Sequence, residues 1–255
     1  MSLLEAIAII GAGVAAGTIN AVVGSGTLIT FPLLLALGYA PVTANVTSTV
    51  GLAPGSISGA IGYRAELENQ RPAITRLAPM SVLGALTGAT LLLVLPASWF
   101  KAIVPAIIAL ALLLILIQPR LSAWVLRHDP GPGPVPQRRA GPLTLLCIYA
   151  AGIYGGYFGA AQGILLIAIL GSLVPDHLQR TNALKNVLGC FVNIVSSLFF
   201  ILLADVAWEA VVLLAVGSVL GGQIGSRYGR KLSPIWLRAT IVVVGVVAIG
   251  ALLGI

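Results

Sequence analysis

The sequence predicts an all-α, polytopic transmembrane protein built from two inverted repeats. Each repeat has about five membrane segments, with short or broken helices near the midplane. Three observations predict this. Hydrophobic residues make up 58% of the 255 residues and charged residues 8%. Long apolar runs such as Ile103 to Ile117 and Ala239 to Ile255 carry no charge. An ungapped internal repeat relates the two halves.

The composition decides the solvent. A soluble domain averages roughly 25% charged residues, and this chain has too few to cover a water-facing surface. In hydrocarbon every backbone group must be paired within the protein, which leaves helices or a closed barrel. Barrel strands alternate apolar and polar residues; these runs are continuously apolar, so they are helical.

Gly, Pro and charge punctuate the chain into segments at 3–23, 27–38, 43–63, 72–95 and 99–117 in the first half. In the second half they fall at 142–160, 163–174, 179–203, 207–226 and 234–254. The stretch 118–141 carries Arg120, Arg127, Arg138, Arg139 and the run PGPGPVP, a composition that reads as a solvated linker. The expected organisation is an N-terminal membrane repeat (1–117), a cytoplasmic linker (118–141) and a C-terminal membrane repeat (142–255). The start, Met1-Ser2-Leu3-Leu4-Glu5, lacks a basic n-region and reads as a first span.

The repeat shows as a constant offset. At an offset of 137 residues, Asn45 matches Asn182, Ser56 matches Asn193, SVLG at 81–84 matches SVLG at 218–221, and Trp99 matches Trp236. Upstream, an offset of 139 matches Gly13, Gly17 and Gly24 to Gly152, Gly156 and Gly163. Basic residues then set the direction. If the short segments 27–38 and 163–174 cross, the second half inverts and all of the 14 Lys and Arg except Lys101 fall on one side. If they are re-entrant, the basic residues split evenly. The positive-inside rule favours inversion, with both termini outside. Twelve helical residues reach only about 18 Å against a core of about 30 Å, so the short segments lean on broken or extended neighbours or dip only partway.

The net charge of +7 belongs to the breaks between spans and implies no nucleic-acid partner. Cys147 and Cys190 lack CxxC spacing and read as packing residues. His128 and His177 lie in loops, and no metal or cofactor is expected. Trp99 and Trp236 read as interfacial anchors.

Inverted repeats with Gly-interrupted short segments at matching places point to a transporter site. Here those places are GTINAVVGSGT at 17–27 and GGYFGAAQG at 155–163. Pro32 and Pro54 are expected to help interrupt their segments. Polar residues cluster beside the breaks: Asn45, Thr47, Ser48, Thr49 and Ser56, then Thr181, Asn182, Lys185, Asn186 and Asn193. The spacing of three, four and seven places Asn182, Lys185, Asn186 and Asn193 on one helix face. Ser56 and Asn193 read equally as helix glue or as site; the pairs Gly84/Gly88 and Gly221/Gly225 read as helix packing. No acidic residue sits mid-span, which argues against a cation site or a carboxylate relay. Amide, hydroxyl and ammonium donors suit an oxyanion. No Ser/His, paired-carboxylate or HExxH constellation points to an enzyme.

GAGVAAGTINAVVGSGTLITFPLLLALGYAPVTANVTST, with GIYGGYFGAAQGILLIAIL and TNALKNV in the second half, resembles the paired signatures of the sulfite exporter TauE/SafE family of bacterial membrane permeases. The resemblance spans nearly the whole chain apart from the linker. It implies transport, commonly export, of small sulfur-containing anions across the cytoplasmic membrane: sulfite, thiosulfate, sulfoacetate or related organosulfonates. The motifs fall on Asn20, Gly24, Gly26, Asn45, Thr47, Gly156, Gly163, Asn182, Lys185 and Asn186; Ser25 and Gln162 complete the expected substrate-binding set. The expectation is a secondary transporter working by alternating access. The alternatives are an anion channel of the same architecture or a carrier of an unrelated small organic anion. The lipid bilayer is the expected surroundings, and a homodimer is compatible with it.

Overall fold

A computed structural model describes residues 1–127, 140–174 and 176–228. The predicted segment 234–254, with Trp236, and the linker residues 128–139, with His128, lie outside the described residues. Nine α-helices and one 3-10 turn make up the described chain: α1 (Leu3–Val22), α2 (Thr27–Ala36), α3 (Pro41–Gly62), the turn Arg64–Leu67, α4 (Arg71–Val94), α5 (Ala97–Arg127), α6 (Pro142–Tyr157), α7 (Gln162–Leu173), α8 (Leu178–Leu203) and α9 (Trp208–Tyr228). Five of them, α1, α4, α5, α8 and α9, are long and apolar enough to cross a bilayer. The protein is an all-α polytopic membrane protein.

Local chemistry sets the ends. Ser2 and Glu5 form a capping box that opens α1: the Glu5 N–H donates to Ser2 Oγ at 3.2 Å, and the Ser2 N–H donates to Glu5 Oε2 at 2.8 Å. Proline stands in the first turn of α3, α4 and α6, where its missing N–H costs nothing. α1 is ended by Gly24, at φ +82°, and the chain after α6 turns through Gly159, at φ +76°. Pro32 and Pro54 do not interrupt: each lies inside a continuous helix. The breaks come instead from the glycines, whose left-handed backbone a helix cannot continue. α5 runs to Arg127, ten residues into the stretch expected to be linker. Neither Arg120 and Arg127 nor Pro119, which lies inside the helix, ends α5, and the Pro/Gly run begins only at Pro130.

Helix directions follow from which residues touch. Along α1 and α9, Gly13 lies against Leu214 and Gly217, and Gly225 against Thr18 and Ala21, so the two run parallel. α3 runs the same way, with Gly51 on Leu214, Gly55 on Ser218 and Gly62 on Ser226. α8 runs opposite to α3: Asn193 bonds Ser56, while Ser197, farther along, donates to the carbonyl of Thr49. α4 returns from α3 and runs parallel to α6, with Gly84 on Tyr149 and Gly152, and Gly88 on Ile153 and Tyr157. Under the sequence repeat α3 is the mate of α8, α1 of α6, and α4 of α9. Each mate runs opposite to its partner.

The packing is reciprocal. The first helix of each half packs on the fourth helix of the other: α1 on α9 and α6 on α4, the two most extensive helix pairs among the described residues. Both seams are lined with glycine, which lets the backbones approach.

The short helices fold back. Gly26 sits against Ala16 and Asn20 of α1, and only four residues join α2 to α3, so α2 runs antiparallel to both. α1 and α2 therefore form a hairpin, and a helix of 10 residues does not have to span the bilayer alone.

Candidate functional site

The two glycine breaks meet. Gly163 donates its N–H to the carbonyl of Gly24 at 3.1 Å. A Cβ at Gly163 would stand 2.5 Å from Gly24 Cα and 2.9 Å from the Val23 carbonyl oxygen, so only glycine fits there. α2 and α7 both start beside this contact, which aims two helix N-termini at one region.

A small cavity, about 30 Å³, lies there. Asn20, Gly24 and Thr27 line it from the first hairpin, and Gly159, Gln162, Gly163 and Leu166 from the second. α3 contributes Leu52, Gly55, Ser56 and Gly59; α8 contributes Lys185, Asn186, Gly189, Cys190 and Asn193. Glycines make the room. From the Ser56–Asn193 level the lining continues through Gly59 and Lys185, toward the bundle end that carries Arg64, Arg71, Arg180 and Arg227. Toward the opposite end, Phe31, Phe100 and Phe158 pack edge to face, with the Phe31 and Phe158 centroids 5.0 Å apart, and Tyr157 lies tilted against Phe100.

Lys185 is the one cation among the described lining residues, and it is 2% exposed. Its ammonium donates to the Ala21 carbonyl at 3.2 Å and to the Val22 carbonyl at 3.5 Å. Asn186 Nδ2 also donates to the Ala21 carbonyl, at 3.1 Å. These carbonyls form the C-terminal end of α1, a favourable place for a cation. No carboxylate among the described residues pairs with Lys185; the ion pair recorded nearby, Arg180–Asp176, is at the bundle end. An ammonium has three donors, and two carbonyls leave one for the cavity.

Ser56 organises the floor. Its hydroxyl donates to the Leu52 carbonyl at 3.1 Å and accepts from Asn20 Nδ2 at 3.2 Å and Asn193 Nδ2 at 2.6 Å. Because its proton is committed to Leu52, both amides must present N–H to it. Gln162 Nε2 donates to the Ala151 carbonyl at 3.2 Å, fixing that amide against Gly155.

Of the residues the sequence singled out, Asn20, Gly24, Gln162, Gly163, Lys185 and Asn186 line the cavity. The others stand elsewhere. Asn45 donates to the Tyr157 carbonyl at 3.0 Å. Thr47 Oγ1 accepts the Ala207 N–H at 3.1 Å, just ahead of α9. Gly26 packs on Ala16 and Gly156 on Ala85. Ser25 and Asn182 are buried outside the lining, and Ser25 Oγ and Asn182 Oδ1 have no partner. Thr27, Ser56, Cys190 and Asn193 join the lining without having been placed in the expected set. For Ser56 and Asn193 the signal was their repeat equivalence. Cys190, expected to be packing, gave none.

The family model described as "Sulfite exporter TauE/SafE" matches residues 9–252. The chain is similar to "Probable membrane transporter protein YfcA" of Escherichia coli (strain K12), 30% identical over 247 residues, which cover 93% of this chain and 86% of the relative. It is also similar to "Probable membrane transporter protein ORF9" of Sinorhizobium sp, 27% identical over 237 residues (91% and 85%). A "Probable membrane transporter protein" of Haemophilus influenzae (strain ATCC 51907 / DSM 11121 / KW20 / Rd) is 27% identical over 233 residues (91% and 88%). No solved structure matches the chain significantly.

Proposed function

The chain belongs to the sulfite exporter TauE/SafE family, and from that membership we propose that this membrane transporter carries small sulfur-containing anions, sulfite or a sulfonate among them. Lys185 carries the reading: a buried cation with no carboxylate partner among the described residues, at the cavity beside the two glycine breaks. A buried charge is costly unless it is compensated, and a bound oxyanion supplies the missing charge. Lys185, Asn186 and Asn20 are the residues we assign to ligand contact, with Gly24 and Gly163 letting the backbone approach.

The two halves, oriented oppositely in the membrane, would rock about the Gly24–Gly163 contact to alternate access. The positive-inside rule puts the Arg64, Arg71, Arg180 and Arg227 end in the cytoplasm, the end toward which Gly59 and Lys185 extend the lining. With a negative interior, the potential drives an anion outward at about 2.3 kcal/mol per charge per 100 mV, so export needs no coupled ion.

Reconstituted protein tests the reading by counterflow of labelled sulfite, thiosulfate and sulfoacetate. Saturable counterflow of at least one supports it. Flux that does not saturate favours an anion channel, and no flux with any of them rejects it.

A further inference from the structure

We infer that the cavity accepts singly charged anions and discriminates against dianions, so that sulfite enters as hydrogensulfite. The inference rests on the reading of this cavity as an anion site and adds the ligand's charge state.

The argument is a count of charge. Four helix ends reach the two breaks: the N-termini of α2 and α7, and the C-termini of α1 and α6. Each end carries roughly half an elementary charge, positive at an N-terminus and negative at a C-terminus. Two of each cancel. What remains among the described residues is the single charge of Lys185.

The repeat does not double it. The position equivalent to Lys185 in the first half is Ser48, whose hydroxyl is hydrogen-bonded to Thr30. The position equivalent to Asn186 is Thr49, bonded back to the Asn45 carbonyl at 3.0 Å. The donor set is therefore one-sided, with one ammonium and no second cation facing it. A monoanion neutralises this site. A dianion would leave one net negative charge in a medium where charge is poorly screened.

The amides support the same choice. Ser56 holds one N–H of each of Asn20 and Asn193, which fixes the two amides and leaves each with a second N–H and a carbonyl oxygen. Their carbonyl oxygens can accept a hydrogen bond from a ligand that carries a proton, such as the hydroxyl of hydrogensulfite. A fully deprotonated dianion has none to give.

Lys185 contacts the Ala21 and Val22 carbonyls of α1 and lies beside Gly163 of α7, and it shares the cavity with Asn20, Ser56, Gln162, Asn186 and Cys190. Only Lys185 and Cys190 among them titrate. A ligand of fixed charge therefore separates their titration from that of the ligand.

The experiment measures dissociation constants on the purified full-length protein by calorimetry, from one pH unit below to two above the second ionisation of sulfite. The probes are sulfite, methanesulfonate as a fixed monoanion, and thiosulfate as a fixed dianion. The expected result is an apparent sulfite Kd that rises about tenfold per pH unit above that ionisation, following the falling monoanion fraction. Methanesulfonate affinity stays flat over the same range, and thiosulfate binds at least tenfold more weakly than methanesulfonate. A sulfite Kd independent of pH, or thiosulfate binding as tightly as methanesulfonate, overturns the charge-state inference and leaves the anion site standing. Parallel loss of sulfite and methanesulfonate also overturns it, since the loss then belongs to the protein. No binding of any of the three rejects the site itself.

Discussion

Asn193 donates to Ser56 at 2.6 Å, and the two are equivalent positions of the repeat, 137 residues apart. Gly24 and Gly163, equivalent in the same sense, also meet directly, through a 3.1 Å backbone hydrogen bond. Equivalent residues touch each other where a two-fold relation passes between them. The cavity lies beside both contacts.

Replacing Ser56 by Ala strands two amide donors at once. Each buried donor without a partner costs about 1–3 kcal/mol, softened here because both amides border the cavity. The expected outcome for Ser56→Ala is a lower thermal midpoint in detergent together with weaker anion affinity. Unchanged values of both would remove Ser56 from its organising role.

Gly163→Ala drives a Cβ into the backbone of Gly24. Backbone cannot turn aside as a flexible side chain does, so overpacking of about 1–3 kcal/mol is expected. Gly24→Ala adds about 1–2 kcal/mol for the left-handed conformation. Gly189 also lines the cavity, but a Cβ there meets nothing within 4 Å. Gly189→Ala should therefore keep or slightly raise stability, while narrowing the cavity and weakening affinity. Thermal unfolding and anion titration of the three variants check this.

Thr47→Val removes the acceptor for the Ala207 N–H ahead of α9. A lost cap costs about 1 kcal/mol. Because Thr47 stands outside the lining, the expected result is reduced stability with an unchanged flux KM. A raised KM at unchanged stability would place Thr47 in the ligand path.

Cys190 offers a native reporter, since it lines the cavity and Cys147 does not. In a Cys147→Ser background, a thiol reagent applied from the side of Arg64 and Arg180 should modify Cys190. Bound anion should slow that modification. Labelling that ignores ligand would mean that the ligand binds elsewhere.

Much of the architecture could be read from residues. Segment positions agreed because glycine, proline and charge end helices for reasons independent of the fold. α5 runs farther than expected because arginine marks a boundary only statistically, and Pro119 sits inside the helix without ending it. The site was legible in part. Asn45 attracts attention as the mate of Asn182, but it is eleven residues from Ser56 on the same helix, about 16 Å along the axis. It therefore cannot share the cavity. Lys185 and Asn186 were legible because a buried ammonium is rare in a span. That they cap the end of α1 was not, since this depends on how the first hairpin lies against α8. Gly55, Gly59 and Gly189 make space, a property that only the packed helices reveal.

The most direct test is sulfite counterflow in proteoliposomes, comparing the wild type with Lys185→Met and Lys185→Arg. Asn186 bonds the Ala21 carbonyl independently of Lys185, so the end of α1 is expected to stay partly capped in both variants, and a monodisperse profile in detergent checks the fold. The account predicts saturable counterflow in the wild type, a loss of at least tenfold in Lys185→Met, and partial retention in Lys185→Arg, where the charge persists. Wild-type rates in folded Lys185→Met would contradict it.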